Sequence, residues 1–337
     1  MRNIVYRDIK LFKLQTLQTL QTPNPKLQTS NPKPQTIMLN NNLQTDPEYI
    51  VEEGLTVDST TDFSLDNGQI KQTGNFEEYY SGETLPGAYL SGMTLSEITG
   101  QQNLTSGKGI SNENFVNTPD WIGITVQLNE EKLDLAVWEV LNFKRVLNRH
   151  EGILERTFEA ISLKGHHIRV IVKRFLSMAQ TEVGAISYSI KSLNFVGRIS
   201  FMPVIDGDLM LATEQAIEPV WNVLQTKTQH DVAHLWTQTR HTDFHICTAL
   251  TYEIYKNNEL LNLIPIKIEK EKIAGFSVGT DVKTGDTLRL NKYTAILNSL
   301  NHSRKELTEQ ACKLAREAKQ KGWNKLVEEH LGEMKKE

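Results

Sequence analysis

The sequence predicts a mainly β fold, a large antiparallel β-sandwich followed by a helical segment. Three observations carry this. From about residue 46 to residue 290, apolar and polar residues alternate at period two in one stretch after another. Turn formers separate those stretches. Beyond residue 300 the apolar residues recur at helical spacing instead.

In chain order, residues 1–45 come first. They read "LQTLQTLQTPNPKLQTSNPKPQT" over much of their length, too polar to offset their ordering entropy by burial. A disordered low-complexity extension is expected here, and Met38 offers an alternative start. Residues 46–290 form the expected sandwich domain. "WIGITVQLN" (121–129), "HHIRVIVKRFLSM" (166–178), "VGAISYSIKSLNF" (183–195), "GRISFMPVIDG" (197–207) and "FHICTALTYEIY" (244–255) each read as a half-buried strand. "DNG" at 66–68, "NEE" at 129–131 and "DGD" at 206–208 mark turns. The stretch "LATEQAIEPVWNVLQ" (211–225) breaks the pattern and reads as a short helix or an irregular excursion. Residues 291–337 are expected to be a helical linker. There "SRKE" (303–306) has the form of a capping box opening an apolar stripe of Leu307, Ala311, Leu314, Ala315 and Ala318. Gly322 interrupts the stripe, and Trp323 and Leu326 lie beyond it. Nothing left in the sequence offers the stripe a partner, so it is expected to be exposed and sticky.

Composition narrows the function classes. With 37 Lys and Arg against 41 Asp and Glu the net charge is −4, which gives no support to a nucleic-acid surface. Cys247 and Cys312 fit neither a metal nor a disulfide framework and read as reduced thiols, hence a cytoplasmic location. No run approaches the roughly 18 apolar residues of a membrane span, and Asp8 and the lysines break any signal-peptide pattern.

Several candidate chemistries fail on spacing. "HDVAH" (His230, His234) and "HTDFH" (His241, His245) tempt a zinc reading, but Asp231 replaces the glutamate of the HExxH pattern and the segment is not convincingly helical. Surface and hairpin histidines are expected instead, with no metal. "SGKGIS" (106–111) lacks the spacing of a phosphate loop, and no Gly-x-Ser-x-Gly elbow exists. The stretch "GNFEEYYSGETLPGAYLSGM" (74–93) stands out, with four glycines, three carboxylates and three tyrosines in 20 residues. Its glycines are expected to let the backbone bend. Glu77 and Glu78 are adjacent, so on a strand they face opposite sides and at most one enters a pocket. On these residues alone a solvated acidic turn is the favoured reading of the pair.

Taken together, the stretches resemble the N-terminal domain of glycoside hydrolase family 65, which includes the maltose, trehalose and kojibiose phosphorylases. The matching pieces are collinear: "YIVEEG" (49–54), "FSLDNG" (63–68), "GNFEEYYSGETLPGAYLSG", "PDWIGITVQLNEEKLDL" (119–135), "FKRVLNRHEGILERTF" (143–158), "KRFLSM" (173–178), "FMPVIDGD" (201–208) and "TDFHICTA" (242–249). They span roughly residues 46–333, and the loop motif most resembles the maltose phosphorylase branch. Family members tend to carry a glycine where Lys71 stands and an arginine where Thr73 stands.

The resemblance implies a super-sandwich of the galactose-mutarotase type, a helical linker, an (α/α)6 barrel and a small C-terminal sheet. It implies phosphorolysis of an α-glucosyl disaccharide with inversion, in which one carboxylic acid protonates the leaving oxygen and phosphate is the nucleophile. No cofactor or metal is implied. The acid and the phosphate site belong to the barrel, and the matching pieces stop at its threshold. No residue here is therefore expected to be catalytic, and the chain alone is expected to be inactive. Its expected partners are a barrel in cis or in trans and, only through that barrel, disaccharide and phosphate. A homodimer is a further possibility. Asn75, Phe76, Glu77, Glu78, Tyr79 and Tyr80 become a substrate-pocket wall. The alternative is a stand-alone sandwich binding carbohydrate or protein without catalysis, and a third reading is an autonomous enzyme using Glu77 or Glu78.

Overall fold

Period-two alternation becomes strand wherever one side of the chain faces the core and the other faces water. A computed structural model describes residues 42–45, 48–55, 60–82, 87–94, 115–212, 217–240 and 242–336. Named in chain order, the strands are β1 (Asn42–Thr45), β2 (Tyr49–Glu53), β3 (Leu65–Asp66), β4 (Ile70–Gln72), β5 (Ala88–Thr94), β6 (Phe115–Asn117), β7 (Ile124–Leu128), β8 (Glu131–Lys132), β9 (Glu139–Asn148), β10 (Ile153–Ile161) and β11 (His167–Leu176). They continue as β12 (Val183–Ser192), β13 (Gly197–Asp206), β14 (Met210–Ala212), β15 (Ile217–Pro219), β16 (Trp221–Gln229), β17 (Val232–Thr239), β18 (His245–Lys256), β19 (Glu259–Leu260), β20 (Ile266–Lys270), β21 (Ile273–Val282) and β22 (Thr287–Asn298). One helix among the described residues, α1 (Leu307–Met334), follows.

An 11-stranded antiparallel sheet runs β1-β2-β9-β10-β11-β12-β22-β18-β17-β16, with β19 paired to β18. A five-stranded sheet, β20-β21-β13-β7-β8, lies opposite part of it. Apolar side chains of the two sheets share one core, among them Ile124, Val126, Phe158, Val172, Tyr188, Ile199 and Phe201. A four-stranded sheet, β3-β4-β5-β6, and the β14–β15 hairpin complete the fold. Leu39–Glu337 forms one unit. Among the described residues no helix is long and apolar enough to cross a membrane.

Several expectations are corrected. The boundary at residue 290 falls inside β22, a central strand paired with both β12 and β18. Its residues 290–298 are buried on both faces, which abolishes the alternation that identifies a half-buried strand. Residues 42–45, counted in the expected disordered extension, pair with β2 as an edge strand; residues 1–41 lie outside the described residues. The 211–225 stretch holds no helix among its described residues, but parts of β14, β15 and β16. The capping box does not form: Glu306 occupies the N-cap without a side-chain hydrogen bond, and Ser303 accepts through its backbone carbonyl from Glu306 N–H at 3.0 Å.

The helical stripe is not exposed. Leu307, Ala311 and Ala315 pack on Val232, Ala249, Ala295 and Leu297 of the large sheet's outer face. Ala318 and Leu326 pack on Phe175, Val183, Ala185 and Tyr293. Small alanines let the helix backbone approach the sheet closely, which is why a weakly apolar stripe suffices. Gly322, at φ 73° and ψ 168°, breaks the helix in two, and Trp323 just beyond it packs edge-on to Phe175 at 5.3 Å. Cys247 and Cys312 are free and buried in this layer.

Candidate functional site

Strand parity puts charge where hydrocarbon is expected. On β10, Arg156 shares the inward face with Leu154, Phe158 and Ala160. On β11, Arg174 follows Ile168, Val170 and Val172 in the same phase. Arg145 on β9 and Lys292 on β22 are likewise buried. Register sets Arg145 opposite both Arg156 and Glu52, and Ile186 opposite both Arg174 and Lys292. Directly opposed like charges destabilise a sheet unless anions interleave them.

The 73–80 loop delivers those anions. Arg156 Nη2 donates to Glu77 Oε2 and to Glu78 Oε2, each at 2.5 Å. Arg174 Nη1 donates to Glu77 Oε1 at 2.7 Å, and the Tyr188 hydroxyl donates to Glu78 Oε1 at 2.5 Å. The arginines also hold the loop's backbone. Arg174 reaches the carbonyls of Thr73 at 2.9 Å and Asn75 at 3.2 Å, and Arg145 reaches that of Gly74 at 2.8 Å. Arg145 pairs in turn with Glu52 at 2.5 Å. Lys292 Nζ donates to the carbonyls of Val204 at 2.7 Å and Gly123 at 3.0 Å.

Glu77 and Glu78 are therefore not a solvated turn; they are 3% and 5% exposed. Nor do they diverge. The backbone bends at both residues, so strand parity does not apply, and both carboxylates converge on Arg156. Burial pushes the Glu77 carboxyl up, but Arg174 and Arg156 outweigh it and hold the group below the usual carboxylate range. Burial lowers Lys292 to about 7, with Asp120 and Glu77 opposing.

All six loop residues, Asn75, Phe76, Glu77, Glu78, Tyr79 and Tyr80, line one cavity of about 360 Å³. Across it stand Thr118, Asp120, Ile122, Gly123 and Thr125, then Val204 and Asp206 at the end of β13. Asp120 and Asp206 exchange backbone hydrogen bonds at 2.7 and 2.9 Å, which sets them side by side. Phe76 packs edge-on to Tyr80 at 5.5 Å, and Lys132 Nζ sits 3.0 Å from the centre of the Tyr79 ring.

The loop glycines serve close approach rather than bending, since Gly74 and Gly87 are not in the left-handed region. A Cβ on Gly87 would stand 2.0 Å from Asn75 Oδ1 and 2.4 Å from Thr73 Oγ1. Gly87→Ala is accordingly expected to cost about 1–3 kcal/mol by overpacking, read as a shift in the denaturant midpoint. An unchanged midpoint would mean that Asn75 simply turns aside.

The histidines do not assemble. His230 sits in the β16–β17 turn, His241 lies outside the described residues, and among the described residues no group of three or more His, Cys, Asp or Glu could hold a metal. His234 and His245 are buried rather than on the surface, which corrects that expectation. His234 meets Gln225 at 3.0 Å and Cys312 Sγ at 3.4 Å; His245 meets Asp243 at 3.0 Å. Sequence reasoning missed Arg145, Arg156, Arg174, Tyr188 and Lys292. For the three arginines the signal available was phase, because each occupies an inward position of its strand; Lys292 lies in the doubly buried part of β22, where no alternation marks it.

The family model for the glycosyl hydrolase family 65 N-terminal domain matches residues 51–336. The chain is 24% identical over 282 residues to the alpha,alpha-trehalose phosphorylase of Thermoanaerobacter brockii, covering 80% of this chain and 36% of that protein. It is 29% identical over 181 residues to the maltose phosphorylase of Bacillus subtilis (strain 168), covering 54% and 24%. A solved human-microbiome structure classed as a kojibiose phosphorylase superposes with a TM-score of 0.71 at 19% identity, covering 88% of this chain and 38% of that one. The chain thus spans about a quarter to a third of the length of these curated relatives.

Proposed function

Since the chain belongs to the glycosyl hydrolase family 65 N-terminal domain family, we propose that it is the non-catalytic sandwich of a phosphorylase acting on an α-glucosyl disaccharide. In this reading residues 75–80 wall the sugar site of a catalytic barrel that lies outside these residues, in cis or in trans. The observation that carries it is the state of the loop carboxylates. A general acid must hold a proton at working pH and aim it at the leaving oxygen. Glu77 is held ionised by two arginines, with Oε1 on Arg174 and Oε2 on Arg156. Glu78 has Oε1 on Tyr188 and Oε2 on Arg156. Both carboxylates are turned onto protein donors through both oxygens and anchor the loop. The acid that inverting phosphorolysis needs would come from the barrel, with phosphate as nucleophile.

The expected result is no release of β-glucose 1-phosphate from maltose, trehalose or kojibiose by residues 1–337, and release once a family barrel is joined or co-expressed. Phosphorolysis by the sandwich alone, abolished in Glu78→Gln, would overturn the reading.

A further inference from the structure

Among the described residues, the cavity's lining contains no lysine, arginine or histidine. The described cations around it have other partners: Lys132 lies on the Tyr79 ring and Lys272 pairs with Asp208. Arg156 and Arg174 hold Glu77 and Glu78, and Lys292 holds two backbone carbonyls. The nitrogens of these two arginines without a partner, Arg156 Nη1 and Arg174 Nε, belong to residues outside that lining. What faces the space is acceptor-rich. Asp120 Oδ1 takes the Ile122 N–H at 3.1 Å and Asp206 Oδ1 takes the Asp208 N–H at 2.8 Å. Their second oxygens accept no hydrogen bond from any described residue. Gln72, 1% exposed, lines the same cavity, and its Oε1 has no hydrogen-bond partner among the described residues. A buried carbonyl left without a donor is costly and marks a place for one.

Phe76, Tyr79 and Tyr80 add aromatic surface, the usual complement to the C–H face of a sugar ring. A volume of about 360 Å³ falls within the roughly 300–1,000 Å³ of small-molecule sites.

We propose that this cavity is a subsite for the ring of an uncharged sugar, whose hydroxyls donate to Asp120, Asp206 and Gln72, and that it excludes inorganic phosphate and sugar phosphates. An anion would meet the Asp120 and Asp206 carboxylates, while the cations that act on them, Lys292 and Lys272, are already engaged by backbone carbonyls and by Asp208, so rejection is expected alongside binding. The subsite deepens the phosphorylase reading but belongs to the sandwich itself, so it needs no barrel to be occupied.

The test titrates the intact 337-residue chain with glucose, maltose, inorganic phosphate and glucose 1-phosphate, followed by saturation-transfer difference NMR. Both uncharged sugars are expected to give transfer signals with millimolar affinity, and glucose 1-phosphate none. Inorganic phosphate carries no carbon-bound protons, so it is read as a competitor that leaves the glucose signal unchanged. Asp120→Asn with Asp206→Asn retains the turn hydrogen bonds but is expected to weaken glucose binding about tenfold, in a variant whose circular dichroism matches the wild type. Should that variant not fold, Tyr80→Ala is expected to lose the signal instead. No sugar signal at roughly 50 mM, displacement of glucose by phosphate, or full binding by the folded double variant would each overturn the inference. Sugar binding without phosphorolysis in the presence of a barrel would leave the subsite standing and remove the phosphorylase reading. Phosphorolysis without sugar binding by the sandwich alone would do the reverse.

Discussion

Arg156→Met is expected to lower the unfolding free energy by about 3–5 kcal/mol, because it leaves two carboxylates buried against a group that cannot answer their charge. Arg174 still holds one oxygen of Glu77, but Glu78 retains only the Tyr188 hydroxyl. The penalty is that of stranding a charge rather than of losing attraction, and this makes the prediction specific. Adding Glu78→Gln to Arg156→Met should recover a substantial part of the loss, although it removes a further polar contact. Denaturant midpoints of the single and double variants decide the matter. A loss below about 1 kcal/mol, typical of surface pairs, would mean that water reaches the cluster.

The second large effect is with pH. Burial lowers His234 to about 4, with Lys227 and Arg316 adding to the fall and Glu269 opposing it. Burial also lowers His330, which packs on Phe175 and whose Nδ1 accepts the Met178 N–H at 3.2 Å while Nε2 donates to the Glu151 carbonyl at 2.7 Å. Both histidines touch the docking of α1, the first through Cys312 and the second from within the helix. A histidine whose folded pKa lies below its unfolded value near 6.5 contributes stability that is complete above that value. This stability is lost as pH falls from about 6.5 toward 4, by about 3 kcal/mol for His234 alone. Asp120 and Asp206, raised by burial, pull the other way, so the informative quantity is a difference between proteins. The loss between pH 7 and pH 4.5 should shrink by most of that amount in His234→Leu. Amide exchange along 307–334 should accelerate first at low pH. A wild-type profile flat across this interval, or one that His234→Leu leaves unchanged, would show that the helix holds regardless of the imidazoles.

Legibility in the sequence followed exposure. Strands β11 and β12 were readable because each has a wet edge of polar residues between buried ones, whereas β22, sandwiched between the core and α1, has no wet face to mark it. The helix was readable from its stripe, but its resting place was not, since a stripe of alanines says little about what it packs against. At the site, the loop was conspicuous by composition and its neighbours were not. Arg156 in "ILERTF" looks like one charge among several until its phase with Leu154 and Phe158 is counted. The orientation of Glu77 and Glu78 depends on a bend no period describes.

The buried charges have a consequence for the order of events in folding. Their partners are remote along the chain: 79 residues separate Glu77 from Arg156, 97 separate it from Arg174, and 110 separate Glu78 from Tyr188. Hairpins such as β10–β11 need only short closures and can zip with their arginines still hydrated. The loop can settle only once β9 to β12 stand side by side, so dehydration of the cluster belongs to the native side of the barrier. Breaking it by Arg156→Met should therefore hasten unfolding far more than it slows refolding. In that sense the cluster governs how long a folded molecule stays folded, not how fast one is made.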